Sequence, residues 1–234
     1  MEADMSRSKS DKADAFAIAR FGTEKNPDAW QPPLREVMEM QQLQALADNL
    51  QNTMTRLKNM LHAFSQPEYF SPDCLLRLHH EIAHLQETIH DNEKDLERLA
   101  QKVMPRTVEV ITSLSGVGRA SAIRVAAAVG DFHRFPNARK LVSYMGTSPT
   151  IKQSGISVKS RGHISRMGGT KIRGALYMCA ISASQHNAQC RAMAERMRAN
   201  KKHGKIIMVA IMNKSLRQMY SMVIHDRLYD PTLA

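Results

Sequence analysis

The chain has 234 residues, of which 43% are hydrophobic and 24% charged, with a formal net charge of +11, long enough for one or two domains around a real core. Residues 1–100 carry 11 Lys and Arg against 17 Asp and Glu, and residues 101–234 carry 22 against 5, so an acidic module of net −6 adjoins a basic one of net +17. A basic block of this size favours a polyanion, nucleic acid ahead of a membrane surface, because the longest apolar run, residues 206–212, is too short to span a bilayer. Met1-Glu2-Ala3-Asp4 holds no apolar signal segment, and Cys74, Cys179 and Cys190 show neither paired nor metal-type spacing. A cytoplasmic protein with reduced thiols is therefore expected.

The first thirty residues are polar and end in Trp30-Gln31-Pro32-Pro33, where the proline pair stops one element before the next begins. Within them Asp11 and Asp14 would share one helix face, a spacing suited to a hard divalent cation, although exposed carboxylates are also common at helix starts. Leu43, Leu50, Leu57 and Phe64 then repeat every seven residues, with Leu46 and Met60 at the matching fourth positions. Leu75, Ile82, Ile89 and Leu96 do the same, joined by Leu78, Leu85 and Leu99, with Asn92 as the polar exception. The Gln66-Pro67-Glu68-Tyr69-Phe70-Ser71-Pro72 break between the runs predicts an antiparallel helical hairpin or a dimeric coiled coil whose acidic surface suits protein contact. His80-Glu81-Ile82-Ala83-His84, with His90 beyond, matches the zinc-protease helix motif formally. Glu87 stands where the extended motif needs a glycine, and the heptad runs straight through, so solvated histidines on a continuous helix are expected.

After Pro105 the pattern changes to short helices punctuated by glycine. Helices are expected near residues 107–114, 119–129 and 138–145, the last started by Asn137 and stopped by Gly146, then near 171–186 and 205–226 beyond an irregular segment 147–169. Leu114-Ser115-Gly116-Val117-Gly118-Arg119-Ala120 reads as the hairpin of a helix-hairpin-helix, in which Gly116 and Gly118 let backbone amides approach phosphate beside Arg119, or else simply link two helices. The segment Gln153-Ser154-Gly155 sets a serine between small residues in a polar turn, with Lys152, Lys159 and Arg161 around it. A hydroxyl there could attack or position a phosphodiester, or serve turn chemistry alone; the nearest histidine is His163, and none sits at close spacing as a base. Arg166, Lys171 and Arg173 open a basic helix, and Lys205 with its neighbours Lys201 and Lys202 offers a further phosphate contact or a solvated loop.

This ordered set resembles the DEDD-type insertion-sequence transposases of the IS-one-ten family, which are related to the pilin-gene invertases. The similarity runs through Leu114-Ser115-Gly116-Val117-Gly118, Gly130-Asp131-Phe132, Arg134-Phe135-Pro136-Asn137-Ala138-Arg139, Tyr144-Met145-Gly146, Gln153-Ser154-Gly155, Arg173-Gly174-Ala175-Leu176-Tyr177-Met178 and Gly204-Lys205. Met145 and Thr147 depart from it, standing where the family tends to small or apolar residues. The resemblance implies a mainly α fold. In it a remnant of a nuclease-like domain (1–30) precedes a coiled-coil hairpin (34–100) that mediates subunit contact and a C-terminal transposase domain (105–230). It implies Ser154 as the nucleophile that links covalently to DNA, and Asp11 and Asp14 as the last two acidic residues of a magnesium-binding tetrad. It also implies DNA, and in some members an element-encoded guide RNA, as partners. The chain opens just before the third acidic residue of that pattern, so a truncated copy or fragment that binds without cleaving is expected. Two other readings remain: a non-catalytic nucleic-acid-binding module, and a coiled-coil protein that pairs with intact transposase.

Overall fold

The computed structural model describes residues 10–27, 29, 32–66, 71–150, 153–154, 158–159, 163–164 and 169–232. The chain divides into two units, Met1–Pro32 and Pro33–Ala234. In the first, helix α1 (Asp11–Lys25) begins at Ser10, whose hydroxyl accepts the Ala13 amide, and ends at Asn26 in the left-handed conformation.

The second unit opens with two long helices, α2 (Arg35–Phe64) and α3 (Pro72–Val103), packed against each other. Met40 and Leu43 of α2 meet Leu96 and Asn92 near the end of α3, whereas Met54 meets Ile82 and Ile89 nearer its start, so the pair is antiparallel. Along α3 the seam is the one expected from sequence: Leu78, Ile82, Ile89 and Leu96 are buried, with Leu75, Leu85 and Leu99 half-buried. Asn92 is buried among them, and its side-chain amide donates to the Leu43 carbonyl at 2.9 Å, which satisfies a polar group in the seam.

On α2 the expected register needs correction. Leu46, Met60 and Phe64 are exposed, while Ala47, Met54 and Leu61, one residue further on, turn inward beside Leu43, Leu50 and Leu57. One residue is about 100° around a helix, and α2 has two neighbours to satisfy. Its Gln41 side chain donates to the Ala127 carbonyl at 2.9 Å, and Asp48 pairs with Arg124 at 2.9 Å. Contact with α5 thus engages the first half of α2, while Met54 and Leu61 of its second half pack on the α3 seam itself.

Helices α4 (Pro105–Ser113), α5 (Arg119–Val129), α6 (Ala138–Tyr144), α7 (Thr170–His186), α8 (Ala188–Ala199) and α9 (Gly204–Ile224) build the rest. Helix α9 is the hub: Ile207, Ile211, Leu216 and Met219 are almost fully buried against α4, α6, α7 and α8, each such side chain worth ~1.5–3 kcal/mol of transfer free energy. Helix α8 has no counterpart in the sequence reading. It follows α7 after the single residue Asn187, whose side chain caps it by accepting the Cys190 amide at 3.1 Å. Its apolar stripe is short, Cys190, Ala194 and Met197. Among the described residues no helix is long and apolar enough to cross a membrane.

Segment 147–169, expected to be irregular, contains two nested antiparallel pairs: β1 (Pro149–Thr150) with β4 (His163–Ile164), and inside it β2 (Gln153–Ser154) with β3 (Val158–Lys159).

Candidate functional site

Ser154 lies on the inner pair, opposite Val158, and His163 on the outer pair, opposite Thr150. Lys159 is on β3, while Lys152, Arg161 and Arg166 fall outside the described residues. The near end of the segment is held firmly. Gly146 (φ 68) ends α6, and the amide and hydroxyl of fully buried Thr147 both bond to the Val142 carbonyl, at 3.1 and 3.2 Å. That hydroxyl partner accounts for a threonine at this position, and Met145, 1% exposed, packs in the core beside it.

At the mouth of the segment is a cleft of about 560 Å³ between α2, the end of α6 and the start of α7, lined by Gln44, Asp48, Tyr144, Gly169, Lys171 and Ile172 among others. Tyr144 and Gly169 lie in sequence at the two ends of the looped segment. Tyr144 is exposed, and the Arg134 guanidinium lies 4.7 Å from the ring centres of both Tyr144 and Phe135, which are 5.3 Å apart. An exposed aromatic ring paired with arginine can stack a nucleobase. Lys171 donates to the neutral Asn52 side chain, and Arg173 bonds to Thr170 at 3.4 Å. Both cations sit in the first turn of α7, which has no acidic residue and no side-chain cap. A cation there opposes the helix dipole. It adds to the free amides instead, and the two together suit an incoming anion.

The helix-hairpin-helix candidates separate into different roles. Gly116 has φ 98, and a Cβ on it would lie 2.5–2.8 Å from backbone and side-chain atoms of Ala183 in α7. Its glycine is required for close packing. A Cβ on Gly118, just before α5, would meet nothing within 4 Å. Arg119 is already engaged, donating to Glu97 at 2.5 Å and Gln101 at 2.8 Å on α3. It ties the basic domain to the hairpin. Lys205 is exposed in the first turn of α9.

Asp11 and Asp14 occupy the exposed first turn of α1, on one face. Among the described residues no three His, Cys, Asp or Glu side chains gather into a metal-ligating group, and His80, His84 and His90 are all exposed on α3. The three cysteines are free thiols; burial pushes the Cys179 and Cys190 thiols above their ordinary value.

Residues 108–195 match the transposase family described as IS116/IS110/IS902. This part of the chain is similar to that transposase domain. The chain is 26% identical over 228 residues to the pilin gene-inverting protein of Moraxella bovis, covering 96% of this chain and 69% of that one. It is 24% identical to the transposase for insertion sequence element IS1111A of Coxiella burnetii, covering 94% of this chain and 68% of that one. A protein of insertion element IS110 from Streptomyces coelicolor is 29% identical over 121 residues, which is 52% of this chain and 30% of that one. The matched transposase domain runs from α4 into α8 and includes the glycine turn, the looped segment with Ser154 and the whole of α7.

Sequence reasoning missed Tyr144 with Arg134, and it missed a pattern in the helix starts. Within four residues of their start, α4 to α9 carry Arg106, Arg119, Arg139 with Lys140, Lys171 with Arg173, Arg191 and Lys205, and none has an acid in its first turn. Helix boundaries were the missing signal; once they are known the pattern can be read from sequence.

Proposed function

We propose that this chain is a nucleic-acid-binding component of an insertion-sequence transposase or site-specific recombinase, with DNA phosphates held by the cations around the mouth of segment 147–169 and Ser154 as nucleophile. The observation that carries the reading is the run of cation-headed helix starts, with Lys171 lining the cleft beside Tyr144 and Gly169 and Arg173 in the same helical turn. In the reaction the serine oxygen would bond to phosphorus while the leaving oxygen departs with a proton, conserving one phosphodiester as a phosphoserine link. Lys152, Lys159, Arg161 and Arg166 are assigned to the same strand of DNA. An element-encoded guide RNA is a second polyanion that this surface would accept.

Magnesium, which the family resemblance implies, would draw on Asp11 and Asp14. Two carboxylates at this spacing suit a cation that keeps most of its remaining ligands as water and phosphate. When bound, the ion would offset phosphoryl charge. Two carboxylates fall short of a tetrad, so this chain alone is expected to bind DNA and not cleave it.

The test is a protein–DNA adduct on a denaturing gel, with magnesium, in a form that supplies the full acidic set. Ser154→Ala should remove the adduct and leave binding nearly intact, because a nucleophile adds little to ground-state affinity. An adduct that persists in Ser154→Ala, or turnover by the 234-residue chain alone, contradicts the assignment.

Self-association through the helical hairpin is the second part of the proposal. Leu46, Met60 and Phe64 are exposed along α2, an apolar stripe that a coiled-coil partner, a second copy of this chain or an intact transposase, would cover. Sedimentation at micromolar concentration that shows a monomer contradicts the self-pairing.

A further inference from the structure

The C-terminal tail builds a second basic cleft, remote in sequence from segment 147–169. Helix α9 ends with Asp226 in the left-handed conformation (φ 48), and the Asp226 and Arg227 amides donate to the Val223 and Met222 carbonyls at 3.2 and 2.9 Å. These bonds occupy carbonyls that would otherwise leave a negative helix end. Arg106 fixes the turn, donating to the Asp226 carboxylate at 2.6 Å and its carbonyl at 3.2 Å, and the Tyr229 amide donates to the Ser113 hydroxyl at 2.9 Å. The tail is thus folded back along α9 and stapled to α4.

Between the tail, the outer face of α9 and the start of α8 lies a cleft of about 460 Å³. Lys214, Arg217 and Ser221 reach it from successive turns of α9, and His225, Arg227 and Tyr229 from the turn and tail. Three permanent cations therefore face one acid, Asp230, whose carboxylate is taken up by the Thr232 amide and hydroxyl at 2.8 and 2.6 Å. Among the described residues no carboxylate bonds to Lys214 or Arg227, and Arg217 donates to the neutral Asn213 side chain, at 2.9 Å. The Tyr229 hydroxyl is buried and finds no hydrogen-bond partner among the described residues. Buried hydroxyls are rarely left without a partner, and Tyr229 is among the residues that line the cleft with Lys214, Arg217 and Arg227.

We propose that this cleft is a phosphate-binding site that takes a backbone phosphate of nucleic acid, with Lys214, Arg217 and Arg227 supplying charge and the Tyr229 hydroxyl a neutral donor. The ligand rests on the nucleic-acid reading above; the cleft itself shares no residue with the mouth of segment 147–169. The protein then grips its polymer at two places, one beside the serine strand and one at the far end of α9.

The experiment is fluorescence anisotropy of the full chain with a labelled 30-base-pair DNA duplex across a salt series. Lys214→Gln with Arg227→Gln should flatten the slope of log affinity against log salt by about 1, for the one phosphate of the site, with roughly tenfold weaker binding at moderate salt. Tyr229→Phe should weaken binding a few-fold with the slope unchanged, since it removes a donor and no charge. Equal thermal midpoints for variant and wild type keep folding out of the comparison. A wild-type slope and affinity in the Lys214/Arg227 variant, while Lys171→Gln with Lys205→Gln weakens binding, overturns this inference alone. Absence of binding by the wild-type chain overturns it together with the reading on which it rests.

Discussion

The two parts of the second unit, and α1 before it, treat their helix starts in opposite ways. Helices α1 to α3 begin with Asp11 and Asp14, Glu36, and Asp73, acids that complement the positive end of each helix from within the chain. Helices α4 to α9 begin with cations and no acids. The acids of the first group complement their helix ends from within the chain, whereas in the second group Arg106 meets Asp226 and Glu109, Arg119 meets Glu97, and the other four starts set cations beside the positive helix end. A chain selected only for stability would gain a few tenths of a kcal/mol at each start by placing an acid there. The basic region forgoes this at six helices in succession, and at the starts of α6 to α9 a phosphate backbone is the counter-charge proposed above.

The largest expected effect separates packing from phosphate contact inside the basic region. Gly116→Val forces a side chain into Ala183 at a left-handed backbone position and should cost on the order of 3 kcal/mol in urea unfolding. Gly118→Ala, with open space around it, should cost less than about 1 kcal/mol. Similar losses at both would return the turn to the role of a simple linker.

The hairpin is sharpened by its register. Met54→Ala should destabilise by about 2–3 kcal/mol because it empties a buried position, while Leu46→Ala and Met60→Ala should each change stability by less than about 0.5 kcal/mol at low protein concentration. The reverse order would restore the register in which the leucines alone form the seam. Next in size is the joint between the regions. Asp48 and Arg124 are largely shielded, so Asp48→Ala should cost about 1–2 kcal/mol, against almost nothing for exposed Asp95→Ala. A double-mutant cycle on Asp48 and Arg124 measures the coupling.

The smallest effect is a pH dependence. Burial raises the Cys179 and Cys190 thiols, so the folded state holds their protons longer than the unfolded chain does. Their contribution is intact below the ordinary thiol value of 9.0 and is lost as pH rises beyond it. The thermal midpoint should fall less between neutral and alkaline pH in Cys179→Ala than in the wild type.

Much of this architecture was legible in the amino-acid order. The α3 seam follows from a heptad with one polar break, and Asn137 and Gly146 bound α6 as capping chemistry requires. The α2 register was not legible, because periodicity identifies a stripe and cannot say which of its flanks turns inward. Helix α8 was missed because a one-residue break at Asn187 and a stripe of Cys, Ala and Met give a weak signal. At the site, the glycines looked equivalent in sequence, and only the approach of Ala183 assigns Gly116 to packing. The partners of Arg119, Glu97 and Gln101, lie some twenty residues away, and sequence reasoning did not reach them.

The central claim is that cations at the starts of the later helices read a phosphate backbone. The direct measurement is the salt slope of DNA binding by the full chain after removing three such charges, Lys171→Gln, Arg191→Gln and Lys205→Gln, set against removal of three exposed hairpin cations, Arg56→Gln, Lys58→Gln and Arg77→Gln. The account predicts a slope shallower by about 3 for the first set and unchanged for the second. Equal slopes for the two sets would contradict it, since binding would then follow net charge and not the place of the cations at helix starts.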